Sequence, residues 1–214
     1  MTRAEHEAPQ HEIGDQLHRI VDELAEKFQG VFSRETVSTV VAETYDLLDT
    51  TATVRTYLTT LTARFAKQRL TDQGRAQGLT TVTVPQVLFI CVHNVARSQM
   101  AAALLEHHAF GKVAVRSAGS KPQGDIPPAV TEALAEIGIP LTEAFPKPLT
   151  DEVVRAADVV VTMGCGDTCP VYPGKRYLDW NVDDPAASPL PDVRRIRDDI
   201  DRLVRGLVSE LVGD

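Results

Sequence analysis

Between Pro9 and Pro85 the chain carries no proline, and its apolar residues recur at three- and four-residue intervals in three blocks separated by turn-forming residues. In the first block Ile13, Leu17, Val21, Leu24 and Phe28 share one helical face, and Gly30 stands where such a helix would stop. Ser33 is placed to cap a second helix, whose apolar side is Val37, Val40, Val41, Tyr45 and Leu48 and whose end is the polar run Asp49, Thr50, Thr51. A third helix is expected to follow at once, with Val54, Leu58, Leu61 and Phe65 inward, and its pattern dies at Gly74 and Gly78. The pattern predicts a three-helix bundle over residues 1–72. With about 60 structured residues such a bundle buries a modest core, so docking on the rest of the chain or on a second copy would support it. A homodimer through these helices is the first expectation for its role.

Residues 73–83 turn polar and Gly-containing and end in a β-branched run, the composition of a linker. From residue 84 to the end the pattern alternates between short apolar runs and helical spacings, the mark of an α/β fold with a parallel sheet. Strands are expected at 87–92, 113–117, 158–163 and 176–180. Helices are expected at 98–110, with Met100, Ala101, Leu104 and Leu105 inward, from the Pro127-Pro128 pair to Gly138, and at 192–212, with Ile196, Ile200, Leu203, Leu207 and Leu211 inward.

Composition narrows the function classes. The 214 residues are 43% hydrophobic and 24% charged, which fits a folded globular chain and not a disordered one. The longest uninterrupted apolar run, Val87 to Val92, falls far short of the roughly 20 residues of a membrane helix. The opening residues lack the basic cluster and apolar stretch of a secretory signal, so a cytoplasmic location is expected and no membrane association. A net charge of −8, negative in both parts of the chain, gives no sign of a basic face, and no nucleic-acid partner is expected. Three cysteines, Cys91, Cys165 and Cys169, are an odd number and too few for a disulfide framework, which points to reactivity or metal binding.

The most informative segment is VLFICVHNVARSQMAAALL: an apolar strand, Cys91, a loop, then Arg97 and Ser98 opening a helix. Backbone N–H groups of a tight loop and of a helix N-terminus converge on one concavity that favours negative charge. The residues lining it would be Val92, His93, Asn94, Val95, Ala96, Arg97 and Ser98. A cysteine at the rim, beside an arginine and a helix N-terminus, occupies the setting in which thiolate nucleophiles occur. The planar guanidinium of Arg97 can hold two oxygens of a tetrahedral oxyanion, and Ser98 can hydrogen-bond the sulfur. A buried and inert strand cysteine is the competing reading of Cys91, and its place at the end of the first strand of an α/β unit argues against it.

From about residue 84 onward the chain resembles the low-molecular-weight protein tyrosine phosphatases and the thioredoxin-coupled arsenate reductases built on the same fold. The resemblance rests on Cys91 through Ser98 with Asn94 inside the loop, on Ser117-Ala118-Gly119 after the second strand, and on Asp184-Pro185 downstream. It implies a four-stranded parallel sheet flanked by helices, with Asp184 brought to the loop as general acid; Asp183 is the other candidate, and a plain Asp-Pro turn the alternative. Both branches use a cysteine thiolate on a tetrahedral oxyanion, so the loop does not separate them.

The remaining cysteines do. Arsenate bound at Cys91 needs a second thiol to attack that sulfur and release arsenite; Cys165 suits that step, and Cys169 would then attack the mixed disulfide and leave a Cys165–Cys169 bridge for an external reductant, thioredoxin first. A small thiol followed by a glutaredoxin-like protein is the variant in which one cysteine is dispensable. The competing readings of the pair are two unrelated loop cysteines and a zinc half-site, the latter disfavoured because no second Cys or His pair stands nearby, so no metal is expected. The DDPAAS run also lacks the aromatic residues that line an aryl-ester pocket in the phosphatase branch. The expectation is an arsenate reductase with no bound cofactor; the alternatives are a phosphatase and an arsenite-binding sensor. The chain departs from the family at His93, where Gly is usual, at Ala96, in place of a second loop cysteine, and at Ala102, where some reductases carry an acid for potassium. The spacing of Cys165 and Cys169 is also short.

Overall fold

The computed structural model describes residues 3–50, 57–81, 83–142, 144–164 and 169–213, with side chains from residue 12 onward. The chain divides into two compact units, Met1–Thr81 and Val82–Asp214.

In the first unit α1 (Arg3–Lys27), α2 (Arg34–Asp49) and α3 (Leu58–Ala76) pack on one another. Gly30 turns the chain after α1 with φ +80°, and Ser33 caps α2 by accepting a hydrogen bond from Thr36 N. The core is Ile20, Val21, Leu24 and Phe28 of α1, Val37, Val40 and Val41 of α2, and Ala66 and Leu70 of α3. Leu61, expected inward, is only half-buried, and Val54 and Thr51 lie outside the described residues. α3 begins at Leu58 and runs through Gly74 to Ala76, past the expected stop. A side chain at Gly74 would meet Thr80 Cγ2 at 3.1 Å, so this helical glycine permits a close approach instead of ending the helix.

The second unit is a four-stranded, all-parallel sheet of β1 (Gln86–Cys91), β2 (Ala114–Gly119), β3 (Val159–Met163) and β4 (Arg176–Asp179), in the order β2-β1-β3-β4. α4 (Arg97–Ala109), α5 (Pro128–Ala135) and α7 (Leu190–Val212) pack together with Val87, Phe89, Val159 and Val161. α6 (Asp151–Ala156) packs on the opposite face, against Leu88, Ile90 and Val160. Strands covered on both faces require continuous apolar runs, which β1 and β3 have.

Strand and helix ends differ from expectation by one to a few residues. Val92 leaves the sheet after β1, and Phe110 is the left-handed cap of α4, 84% exposed. α6 was not expected, because six residues are too few to show a helical period. In α7 the inward stripe is Val193, Ile196, Ile200, Val204 and Leu207; Leu203, expected inward, lies at its margin and is exposed. No helix among the described residues is long and apolar enough to cross a membrane.

Candidate active site

Cys91 is the last residue of β1, opposite Gly119 of β2 on one side and Met163 of β3 on the other. The loops leaving all three strands therefore start side by side, at the point where the connections of an open α/β sheet diverge and a crevice forms.

Between Cys91 and α4 the chain turns through Asn94, which is left-handed with φ +56°, a conformation asparagine tolerates better than most residues. The turn aims the Asn94 backbone N–H at Cys91 Sγ, 3.3 Å away. Asn94 Nδ2 donates to Ser98 Oγ at 2.7 Å, and Ser98 Oγ shares a hydrogen bond with Cys91 Sγ at 2.9 Å, in which the hydroxyl is the donor when the sulfur is a thiolate. Gly119 makes this closure sterically feasible, because a Cβ there would stand 2.9 Å from Val92 O and 3.0 Å from Asn94 Cβ. Among the described residues no side chain caps the N-terminus of α4, which leaves its first N–H groups uncapped where the loop ends. Val95 and Ala96 are buried in the loop, whereas His93 is exposed.

Arg97, 9% exposed, donates from Nη2 to Asp184 Oδ2 at 2.6 Å. Its Nε is buried and has no hydrogen-bond partner among the described residues. A Cβ on Gly164, the residue after β3, would lie 2.7 Å from Arg97 Nη1. Asp184 also closes a turn, its Oδ1 accepting from Ala186 N at 3.1 Å. The other acidic candidate, Asp183, instead pairs with Arg195 of α7 at 2.9 Å. The geometry thus brings Asp184 to the loop arginine and leaves Asp183 away from it.

Cys169 is half-buried and packs with Tyr172 and Tyr177 against the β1–β3 core. The Tyr177 hydroxyl accepts from Tyr172 N at 2.8 Å and donates to Pro170 O at 3.4 Å, which anchors the segment after Cys169. Burial, then the nearby Cys169 sulfur, pushes the Tyr177 phenol above its ordinary value, so it stays a donor. Cys165 lies outside the described residues. Among those described, no cluster of three or more His, Cys, Asp or Glu is arranged to hold a metal.

Two polar residues behind the loop escaped the sequence reading. Gln99 is 4% exposed and accepts from Ser117 Oγ at 3.4 Å, and Lys147 is 8% exposed and donates its backbone N–H to Asn94 Oδ1 at 2.9 Å. For Gln99 the available signal was a carboxamide set between Ser98 and Met100 in the first turn of a helix. For Lys147 there was none, because it reaches the loop from an irregular segment 53 residues away.

Residues 86–214 match the family model described as low molecular weight phosphotyrosine protein phosphatase, and residues 17–72 match that of a protein-tyrosine-phosphatase-like N-terminal domain. The chain is similar to the solved Corynebacterium glutamicum thioredoxin-dependent arsenate reductase, at 50% identity and TM-score 0.82, over 91% of this chain and 95% of that one. It is 36% identical over 129 residues to an arsenate reductase from Halalkalibacterium halodurans, covering 56% of this chain and 91% of the relative. A Geobacillus stearothermophilus arginine phosphatase also shares the fold, at 26% identity and TM-score 0.52, over 59% of this chain and 92% of that one. With the Cys91–Ser98 loop, Arg97 and the Asp-Pro turn meeting at the carboxyl end of the sheet and a family model spanning more than half its length, the chain belongs to the low molecular weight phosphotyrosine protein phosphatase family.

Proposed function

We propose that this chain reduces arsenate to arsenite, with thioredoxin as the external reductant. The reading is carried by one observation: Cys91 pairs in register with Met163, so the segment that holds Cys165 and Cys169 starts beside the nucleophile. A phosphatase needs no thiol there. The 50% identity to a thioredoxin-dependent arsenate reductase supports the same choice.

The Cys91 thiolate attacks arsenic while Arg97, the loop amides of residues 92–96 and the N–H groups of Arg97 and Ser98 hold the oxyanion. Asp184, displaced from Arg97 by the oxyanion and itself protonated, gives its proton to the departing oxygen, which leaves as water, and a Cys91–arsenic(V) bond remains. Cys165 attacks Cys91 Sγ; the sulfur–arsenic bond breaks with its electron pair going to arsenic, which is thereby reduced from V to III and leaves as arsenite. Cys169 attacks Cys165, freeing Cys91, and the Cys165–Cys169 disulfide takes two electrons from the thioredoxin dithiol. A cytoplasmic site of action supplies the reduced thioredoxin this cycle consumes. Residues 84–214 carry these steps, and the helices that end at Ala76 form a separate domain joined to them by the short stretch that follows.

The test is NADPH consumption with arsenate, thioredoxin and thioredoxin reductase, for wild type and for Cys91→Ser, Cys165→Ser and Cys169→Ser, with para-nitrophenyl phosphate hydrolysis in parallel. Arsenate-dependent turnover that needs all three cysteines supports the relay. Ester hydrolysis needing Cys91 alone, without arsenate turnover, makes the protein a phosphatase.

A further inference from the structure

The carboxamide of Gln99 lies behind the nucleophile loop, where three oxygens from two segments converge. Its Nε2 donates to Asn94 O at 3.0 Å, to Asn94 Oδ1 at 3.1 Å and to Phe145 O at 2.9 Å. Three carbonyl oxygens around one atom fix that atom as the nitrogen, since an amide oxygen would face only acceptors. The other end of the amide is held by Ser117 Oγ of β2. One buried side chain thus ties together the loop, β2 and the 145–147 segment.

Two of its three acceptors belong to Asn94, whose left-handed turn aims a backbone N–H at Cys91 Sγ and whose Nδ2 sets Ser98. Left-handed backbone is unfavourable for a residue with a Cβ and persists where surrounding contacts enforce it. Here they are the Gln99 bonds to Asn94 O and Oδ1 and the Lys147 N–H on Oδ1.

We propose that Gln99 is a positioning residue for the oxyanion loop: it fixes the Asn94 turn, and through it the direction in which the loop amides and Ser98 face an incoming anion. Gln99 touches neither substrate nor sulfur; it acts through Asn94. The inference rests on the arsenate-reductase reading for its substrate, and only for that.

The experiment uses the full chain with Gln99→Met, which keeps length and volume and removes the donors, and Gln99→Asn, which withdraws the nitrogen by one methylene. Phosphate affinity is measured by calorimetry, and KM for arsenate and for thioredoxin in the coupled assay. Loss of the shared donor is expected to weaken phosphate binding and raise the arsenate KM by roughly tenfold, with the thioredoxin KM unchanged. A role confined to stability predicts a lowered melting temperature with phosphate affinity intact, and that result in either variant overturns the proposal. So does a parallel rise of both KM values. Calorimetry needs no turnover, so a wild type that binds phosphate but does not reduce arsenate refutes the functional reading while leaving the clamp under test.

Discussion

Replacing Gly164 with alanine adds one methyl group at the exit of β3, and two independent costs follow. The backbone there has φ +71°, so any residue with a Cβ is strained by about 1 kcal/mol. The added carbon would also lie 2.7 Å from Arg97 Nη1, closer than the atoms can approach, so the guanidinium has to shift. Arg97 is held by Asp184 through Nη2 and buried along its length, and a shift turns its fork away from the oxyanion it is proposed to hold. Losing one charge-assisted contact costs about 1.5–3 kcal/mol, a fall in kcat/KM for arsenate of roughly ten- to a hundredfold. The matched control is Gly138→Ala, where φ is +78° and nothing lies within 4 Å of the added carbon. Both variants should lose a similar amount of stability, a few degrees in melting temperature. Only Gly164→Ala should lose activity in the thioredoxin-coupled assay. Equal kcat/KM values in the two variants would refute the claim that Gly164 sets the place of Arg97.

Asp184→Asn removes the proposed acid and frees Arg97 together: kcat for arsenate should fall about a hundredfold while phosphate, measured as a competitive inhibitor, binds more tightly. Asp201 of α7 takes hydrogen bonds from His108 of α4 and from Arg205, both at 2.6 Å. Burial pushes its carboxyl up, and the bonds and charges of Arg205 and His108 outweigh that and leave it below the ordinary value. Its contribution is therefore complete above about pH 4 and lost as pH falls through the lowered value, so Asp201→Asn should melt about 2–4 °C lower at neutral pH and converge with wild type in acid. Ser33→Ala deletes the cap of α2 and should cost about 1 kcal/mol, read as faster amide exchange in the first turn of that helix with arsenate turnover unchanged.

The strands and long helices were legible because their apolar residues repeat over enough turns or pleats to reveal a period, as α7 and β1 do. The Cys91–Ser98 loop was legible because its residues are contiguous. What was hidden depends on contacts between distant segments. Gln99 gains meaning only when residue 145 folds over the loop, and Gly164 only when Arg97 reaches it from the neighbouring strand's loop. Leu203 was misplaced because a residue at the edge of a helical stripe is assigned by its neighbours, and Val204 faces the core more directly. The choice between Asp183 and Asp184 likewise required the Arg195 pairing to be seen.

The ion pair between Arg97 and Asp184 gives the site a tethered occupant of its own. A carboxylate fixed on the same chain presents itself to the guanidinium at an effective concentration in the millimolar range or above, and a free anion must outcompete it. Chloride or a simple carboxylate offers Arg97 no more than Asp184 already does and has no advantage. A tetrahedral oxyanion can fill the vacant Nε and the loop amides in the same event, so only a ligand with several oxygens gains enough to displace the tether. With the oxyanion held as proposed, the cleft discriminates by number of acceptors before any chemistry begins, and the displaced carboxylate, once it has taken up a proton, stands beside the atom it is proposed to protonate.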